Sequence, residues 1–178
     1  MNDGKSHAGP TAEDRVGIGY DLHRLVAGRP LRIGTVAIPF DAGLAGHSDA
    51  DVLCHAIADA LLGAARLGEI GSLFPDSDPR WEGLTGADLL ARVAALLSSE
   101  AGMRIGNVDS VVIAERPRLA AQIPAMASGI AAALSVDPSR ISVKVKSNEG
   151  VDATGRGEAI AAQAIVRLVP ASGERIAP

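Results

Sequence analysis

The stretch His47-Ser48-Asp49-Ala50-Asp51-Val52-Leu53-Cys54-His55-Ala56-Ile57-Ala58-Asp59 constrains this chain more than any other. A polar cluster runs straight into an apolar helical pattern that carries a further His and Asp. Residues four apart share one stripe of a helix, so Asp51, His55 and Asp59 align. Ser48 or Asp49 is a ready N-cap, and the helix is expected over residues 49–67, ending near Gly68. Two carboxylates and an imidazole inside an Ala/Leu/Ile helix have two readings. One is a solvated face with an i,i+4 pair; the other is a metal and phosphate site. This segment alone leaves both open.

A chain of 178 residues suits one domain with a real core. Its residues are 47% hydrophobic but only 2% aromatic, so Ala, Val, Leu and Ile must build that core. Such small side chains call for close packing of elements or for extra burial by oligomerisation. The net charge of −4 argues against nucleic acid bound on a basic face. An anionic ligand must instead be met locally, by metal, Lys/Arg or backbone N–H groups. The single cysteine, Cys54, excludes an internal disulfide, reads as a small core residue and fits a reducing, cytoplasmic setting. No run approaches the roughly 20 apolar residues of a membrane span. Residues 1–14 are polar and Gly-containing with no apolar stretch of a signal peptide, and read as a disordered tail. The domain is expected over residues 15–170, with a C-terminal tail over 171–178.

Residues 15–23 read as the first strand. Its period of two puts Gly17, Gly19, Asp21 and His23 on one face and Val16, Ile18, Tyr20 and Leu22 on the other. The glycines leave room for something to approach the backbone, and Asp21 and His23 at i and i+2 can reach one ion. A dinucleotide fingerprint is discounted, because Leu22 stands where the third glycine belongs and no helix follows directly. Residues 32–39 read as one strand, antiparallel to the first through a turn at Gly28-Arg29-Pro30. Residues 40–46 form a loop delivering His47, and 69–79, with two prolines and two aspartates, a turn or a flap over a ligand. A helix starts at Thr85 or Gly86, with Leu89, Leu90, Val93, Leu96 and Leu97 at helical spacing. A strand covers 103–114. A helical region then runs to Leu134, restarted near its middle by Pro124. Residues 141–147 alternate as a strand, 148–154 are a loop, and 159–169 read as a final strand or an apolar helix, of which the strand is chosen. The class is α/β, a mixed sheet packed with helices on one side.

Of four histidines, His7 lies in the tail; His23, His47 and His55 fall in the segments singled out. Asp21, His23 and His55 would give a three-ligand site. That donor set suits Zn²⁺ with its fourth position open, the catalytic rather than the structural pattern. Ordinary hydrogen bonding by the same residues stays open on spacing alone.

Gly19-Tyr20-Asp21-Leu22-His23, His47-Ser48-Asp49-Ala50-Asp51-Val52-x-x-His55-Ala56, Asp59-Ala60-Leu61-Leu62-Gly63-Ala64, Gly68-Glu69-Ile70-Gly71, Phe74-Pro75-Asp76-Ser77-Asp78 and Thr154-Gly155-Arg156-Gly157-Glu158 occur together and in order. In this the chain resembles the 2-C-methyl-D-erythritol 2,4-cyclodiphosphate synthase family of the methylerythritol phosphate route to isoprenoid precursors. The resemblance implies conversion of 4-diphosphocytidyl-2-C-methyl-D-erythritol 2-phosphate to the cyclic diphosphate, with release of CMP. It implies zinc on Asp21, His23 and His55, and a second divalent ion, Mg²⁺ or Mn²⁺, at Glu149. His47 and Ser147 match positions that stabilise the transition state. Asp21, Leu22, His23, His47, Ser48, Glu69, Ile70, Gly71, Phe74, Pro75, Asp76, Ser77 and Asp78 match segments around the methylerythritol moiety and its phosphates. Ala114, Arg118, Leu119, Ala120, Lys146, Ser147, Asn148 and Glu149 match the cytidine side, with Ala153 and Arg156 in the loop beyond. Asp59 would orient a zinc ligand or make a surface pair. The resemblance also implies a homotrimer with active sites between subunits. A zinc phosphohydrolase is the rival reading; it shares the metal site but not the cytidine segments.

Several positions depart from the family pattern. Glu69 stands for a usual Asp, Arg118 for a common Lys, and Lys146-Ser147-Asn148 for Thr-rich versions. Asp152-Ala153 replaces a common Gly-Phe. With that ring gone, and Tyr20, Arg156 and Glu158 kept, weaker capture of isoprenoid diphosphates on the trimer axis is expected.

Overall fold

The first strand, β1 (Arg15–Ala27), carries the fold, and its two faces sort as its alternation requires. Val16, Ile18, Tyr20 and Leu22 are exposed on one face, while Gly17 and Gly19 are buried on the other. The computed structural model describes residues 13–46, 48–75 and 77–171. The expected tails, and the sites placed on His47 and Asp76, lie outside these except for residues 13, 14 and 171. Beyond β1 come β2 (Leu31–Ile33), β3 (Val36–Ile38), β4 (Ala42–Leu44), α1 (Val52–Ala65), α2 (Ile70–Leu73) and α3 (Gly86–Ser99). Then follow β5 (Met103–Ile113), α4 (Ile123–Leu134), β6 (Ile141–Lys146), α5 (Asp152–Gly155) and β7 (Ala159–Pro170). Five strands form one sheet in the order β4-β1-β7-β5-β6. Only β5 and β6 run parallel. The class is mixed α/β.

What the glycines of β1 make room for is α1. A Cβ on Gly17 would lie 2.0 Å from the Ala60 carbonyl oxygen, and one on Gly19 2.0 Å from that of Ala56. Ala56, Ala60 and Ala64, spaced by four, form the helix ridge that meets them. Around this contact the core is aliphatic: Leu53, Ile57, Leu61 and Leu62 of α1, Leu90 and Leu97 of α3, Met126 and Ile130 of α4, and Ile160 of β7 are fully buried. Small residues thus give close packing, as the composition demanded. Cys54 is one of these core residues.

Three expectations change. Residues 32–39 are not one strand beside β1. They are the hairpin β2–β3, a separate two-stranded sheet. The chain reverses at Gly34 (φ 58°) and Thr35 (φ 71°), the double positive φ of a type I′ turn. The loop 40–46 contains β4, which takes the place beside β1 instead. And α1 begins at Val52, not Asp49, because Ala50 turns at φ 51°. Its cap is Asp51 rather than Ser48 or Asp49. Smaller differences follow local chemistry: α1 ends at a left-handed Arg66, and Pro124 sits in the first turn of α4 rather than at its middle.

Asp51 is fully buried. Its carboxylate accepts from the amides of Cys54 (3.1 Å), Gly34 (2.8 Å) and Thr35 (2.7 Å). One side chain therefore caps α1 and fixes the β2–β3 turn against it. Asp51→Ala would strand three donors in the core, so a loss of about 3 kcal/mol is expected. Urea unfolding monitored by circular dichroism measures it; a change under about 0.5 kcal/mol contradicts the account. Among the described residues, no helix is long and apolar enough to cross a membrane.

Candidate active site

Asp21 and His23 are neighbours on the inner face of β1, just beyond Gly19, where the strand outruns the glycine–alanine contact. His55 sits one residue before Ala56 on the facing helix. The close approach of α1 to β1 therefore brings all three side chains to one point. Asp21 Oδ2 lies 2.9 Å from His23 Nε2 and 3.0 Å from His55 Nδ1, and the two ring nitrogens are 3.2 Å apart. The imidazoles meet edge to face, with centroids 5.3 Å apart. All three residues are partly buried with access to a cavity. Burial works to raise the Asp21 carboxyl, but hydrogen bonds and charge from His23 and His55 outweigh it and hold it below the usual carboxylate range. Burial likewise works to lower His55; the bond and charge of Asp21, aided by Asp51 and Asp49, push it up instead.

The three atoms fit a zinc ion. Tetrahedral ligands at about 2.0–2.2 Å from a metal stand roughly 3.3–3.5 Å from each other, within a few tenths of an ångström of the triangle here. The donors are a carboxylate and two imidazoles, a catalytic zinc set.

The cavity beside the triad has a volume of about 810 Å³. Of the expected residues, Asp21, His23, Ser48, Ile70, Gly71, Phe74, Pro75, Ser77 and Asp78 line it. Leu22 does not; it faces outward on β1, 44% exposed, and meets the site only through its amide, which donates to Asp21 Oδ1 at 2.8 Å. Glu69 precedes α2 rather than lining the wall. Asp59 accepts from the Ile70 amide at 2.8 Å, its hydrogen-bond partner among the described residues, and fixes the start of α2. Asp49 accepts from the Gly86 amide with both oxygens at 3.0 Å, tying it to the first residue of α3. The segment expected as a turn or a flap contains α2, and a short 3-10 turn, Pro79–Trp81, follows it.

A second cavity of about 270 Å³ is lined by Ala114, Arg118, Leu119, Ala120, Lys146 and Ser147, with Glu115, Pro117 and Val145. Asn148, Glu149, Ala153 and Arg156 belong to the loop that leaves it. Glu149 is exposed, with φ 50°. Arg156 pairs with Glu158 at 2.8 Å. Ser147 Oγ accepts from the Glu149 amide at 3.2 Å, which leaves its hydroxyl proton free to donate. Within one chain the two cavities are separate, and Glu149 is not brought to the triad.

Sequence reasoning missed Trp81, Glu82, Gly83, Leu84 and Leu89, which also line the first cavity. Trp81 stacks edge-on with Phe74 at 5.1 Å and lies under the guanidinium groups of Arg80 and Arg92. The signal was available: the chain has a single Trp, placed two residues after the Asp-Ser-Asp-Pro stretch.

The model of the YgbB family matches residues 14–169. A curated relative from Pelotomaculum thermopropionicum, named 2-C-methyl-D-erythritol 2,4-cyclodiphosphate synthase, is 52% identical over 160 residues, 90% of this chain and 98% of that protein. Among solved structures, the bifunctional IspDF from Campylobacter jejuni matches with a TM-score of 0.84 and 39% identity, over 89% of this chain and 43% of that one. The IspF–CDP complex of Plasmodium falciparum matches with a TM-score of 0.78 and 32% identity, over 90% and 98%. A match that starts just before the strand bearing Asp21 and His23 and runs into the last residues of β7 leaves one conclusion: the chain belongs to the YgbB family, among relatives named 2-C-methyl-D-erythritol 2,4-cyclodiphosphate synthase.

Proposed function

We propose that this chain is a phosphorus–oxygen lyase that closes 4-diphosphocytidyl-2-C-methyl-D-erythritol 2-phosphate to 2-C-methyl-D-erythritol 2,4-cyclodiphosphate and releases CMP. The observation that carries this reading is the zinc-compatible triangle of Asp21, His23 and His55 opening on a cavity whose walls are the family's substrate segments. An oxygen of the substrate's 2-phosphate attacks the β-phosphorus. The bond from that phosphorus to the bridging oxygen of the cytidylate breaks, and CMP departs with the electron pair. No protein nucleophile is required. Zinc at the triad and Mg²⁺ or Mn²⁺ at Glu149 would supply charge neutralisation between the two phosphates.

The chain's own residues do the positioning. Ile70, Phe74 and Trp81 give the methylerythritol an apolar wall, and Ser48 and Ser77 offer hydroxyls. Arg118 and Lys146 place cations at the mouth of the second cavity, where backbone groups around Ala114 and Leu119 suit a pyrimidine edge. The free Ser147 hydroxyl and His47 donate to oxygens on which charge develops.

The separation of the two cavities supports a site completed by a neighbouring subunit. So does the outer face of the sheet. Ile18 and Ile165 stand opposite each other across β1 and β7, 63% and 49% exposed, beside Val16, Tyr20 and Leu22. An apolar stripe of this kind supports a subunit contact, and a homotrimer would bring the second cavity of one chain to the triad of the next. Ile18→Glu is expected to give monomers by sedimentation and to lower CMP release at least about a hundredfold, since each site then lacks half its walls. A trimer with full activity contradicts the arrangement.

Incubation with the cytidylated substrate, with and without a chelator, tests the reading. CMP and cyclic diphosphate are expected, and the chelator should stop both; inorganic phosphate alone would point to a hydrolase. Ser147→Ala is expected to keep its zinc and slow turnover by about 10²-fold, as for loss of one oxyanion donor; an unchanged rate removes Ser147 from the mechanism.

A further inference from the structure

The loop after β6 is closed on itself by one carboxylate. Asp152 stands at φ 60°, in the left-handed region. Its Oδ1 accepts from the Thr154 amide (2.7 Å), the Thr154 hydroxyl (2.7 Å) and the Gly155 amide (3.1 Å). Its Oδ2 accepts from the Asn148 side-chain amide at 2.8 Å. The same Asn148 nitrogen reaches Thr154 Oγ1 at 2.9 Å, and the Asn148 carbonyl accepts from the Val151 amide at 2.9 Å. Thr154 is buried, 4% exposed. Gly155 backs so closely onto Gly150 that a Cβ there would lie 2.7 Å from the Gly150 carbonyl carbon. The Asp152 carboxyl is drawn down to about 2 by the Thr154 hydroxyl first and the Gly155 amide next.

Two of these contacts, from the amides of Thr154 and Gly155, stay within the short helix α5 and tie its single turn. The bond to Asn148 does something else. It reaches back across the turn to the residue between Ser147 and Glu149. A glycine would adopt φ 60° without strain, whereas Asp adopts it at some cost. What a glycine lacks is the acceptor. The carboxylate therefore has to be accounted for by what it holds, and what it holds outside its own turn is Asn148.

We infer that Asp152 is a positioning residue, which clamps residues 147–149 through Asn148 and so presents Ser147 and Glu149 to the diphosphate at the second cavity. This rests on the proposed cyclase reading, in which those two residues act on the substrate.

The test uses the zinc-loaded full-length protein and two variants. In Asp152→Gly the backbone stays accessible but every side-chain acceptor is lost. In Asp152→Asn the carbonyl oxygen can still serve Thr154 and Gly155, while the new amide nitrogen meets that of Asn148 donor to donor. Amide hydrogen exchange over residues 146–150 and CDP affinity by calorimetry are the readouts. For Asp152→Gly, exchange in that segment is expected to quicken, and CDP binding to weaken, by about tenfold each, the equivalent of one charge-assisted hydrogen bond. Zinc content should not change. Asp152→Asn should show the quickened exchange at 148 and 149 while α5 keeps its protection. Wild-type exchange and CDP affinity in Asp152→Gly would overturn the inference. So would exchange that rises evenly along the chain with a fall in Tm, which marks a merely structural role. Failure of the wild-type protein to release CMP would remove the cyclase reading instead, and is seen separately from either result.

Discussion

His55→Ala is expected to lose the zinc proposed at the triad and, with it, turnover by on the order of a thousandfold or more, the scale set by loss of a preorganised charge at a phosphoryl centre. The geometry separates this from unfolding. His55 is at the rim of the core, with its side chain 16% exposed, while the contact of α1 with the sheet is made by Ala56, Ala60 and the leucines behind them. The variant should therefore keep its fold and its cavity. What remains at the site is Asp21 and His23, two donors from one strand, too few for a stable zinc site. Metal analysis and CMP release on the same sample check the claim; full zinc stoichiometry in the variant would strike His55 from the ligand set. A pH dependence follows in the wild type. In the metal-free protein the His55 pKa is raised, so its pairing with Asp21 contributes stability that is complete below 6.5 and lost as pH rises through the raised value. Asp21, lowered, contributes above 3.8 and loses its contribution as pH falls through its depressed value. Zinc needs His55 neutral, so zinc content should fall as pH drops through the raised His55 value.

How far the sequence reveals this site depends on the kind of signal each residue carries. Gly17, Gly19, Asp21 and His23 declared a common face because a strand has an unambiguous period, and β1 kept it. His55 was legible from its place on a helical pattern. The strand assignment for β6 held because Ile141, Val143 and Val145 alternate with polar residues, and β5 and β7 held on their Val and Ile content without a clean alternation. The hairpin β2–β3 was not legible as two strands, because its turn is Gly34-Thr35 and Thr is a poor indicator of positive φ. Its conformation is set by Asp51, sixteen residues away, whose carboxylate accepts both turn amides. The same long-range bonds took Asp51 out of the stripe shared with His55 and made it the cap. Asp59 was legible as a carboxylate beside the site but not as the acceptor for Ile70, since nothing local shows where a loop will return. Trp81 and Leu89 reach the cavity because the 3-10 turn returns to Phe74 and α3 packs along α1. Its outer walls are in this sense tertiary.

Gly19→Ala, a single methyl group, is expected to cost more stability than any surface substitution in the chain. The added Cβ would lie 2.0 Å from the Ala56 carbonyl oxygen and 2.7 Å from the Ala60 nitrogen. Both are backbone atoms of a buried helix, so no flexible side chain can turn aside. Relief requires α1 to move off β1 by an ångström or more, which opens the aliphatic core on both sides of the contact. A loss of about 3–5 kcal/mol is expected, above the usual 1–3 for overpacking because the clash is with backbone, and it is a large share of the roughly 5–15 kcal/mol of a typical domain. The function should fail along with the stability. His55 precedes Ala56, so the shift that admits the methyl group also draws Nδ1 away from Asp21 and His23. A misplacement of about 1 Å at such a site costs about a hundredfold. Gly63→Ala is the control. Gly63 lies in α1 with nothing within 4 Å of its added Cβ, so alanine there should be neutral or stabilising by about 0.5–1 kcal/mol through helix propensity. Urea unfolding and zinc titration of the two variants side by side decide the matter. If Gly19→Ala unfolds and binds zinc like Gly63→Ala, the metal triangle does not depend on how closely this helix lies against this strand.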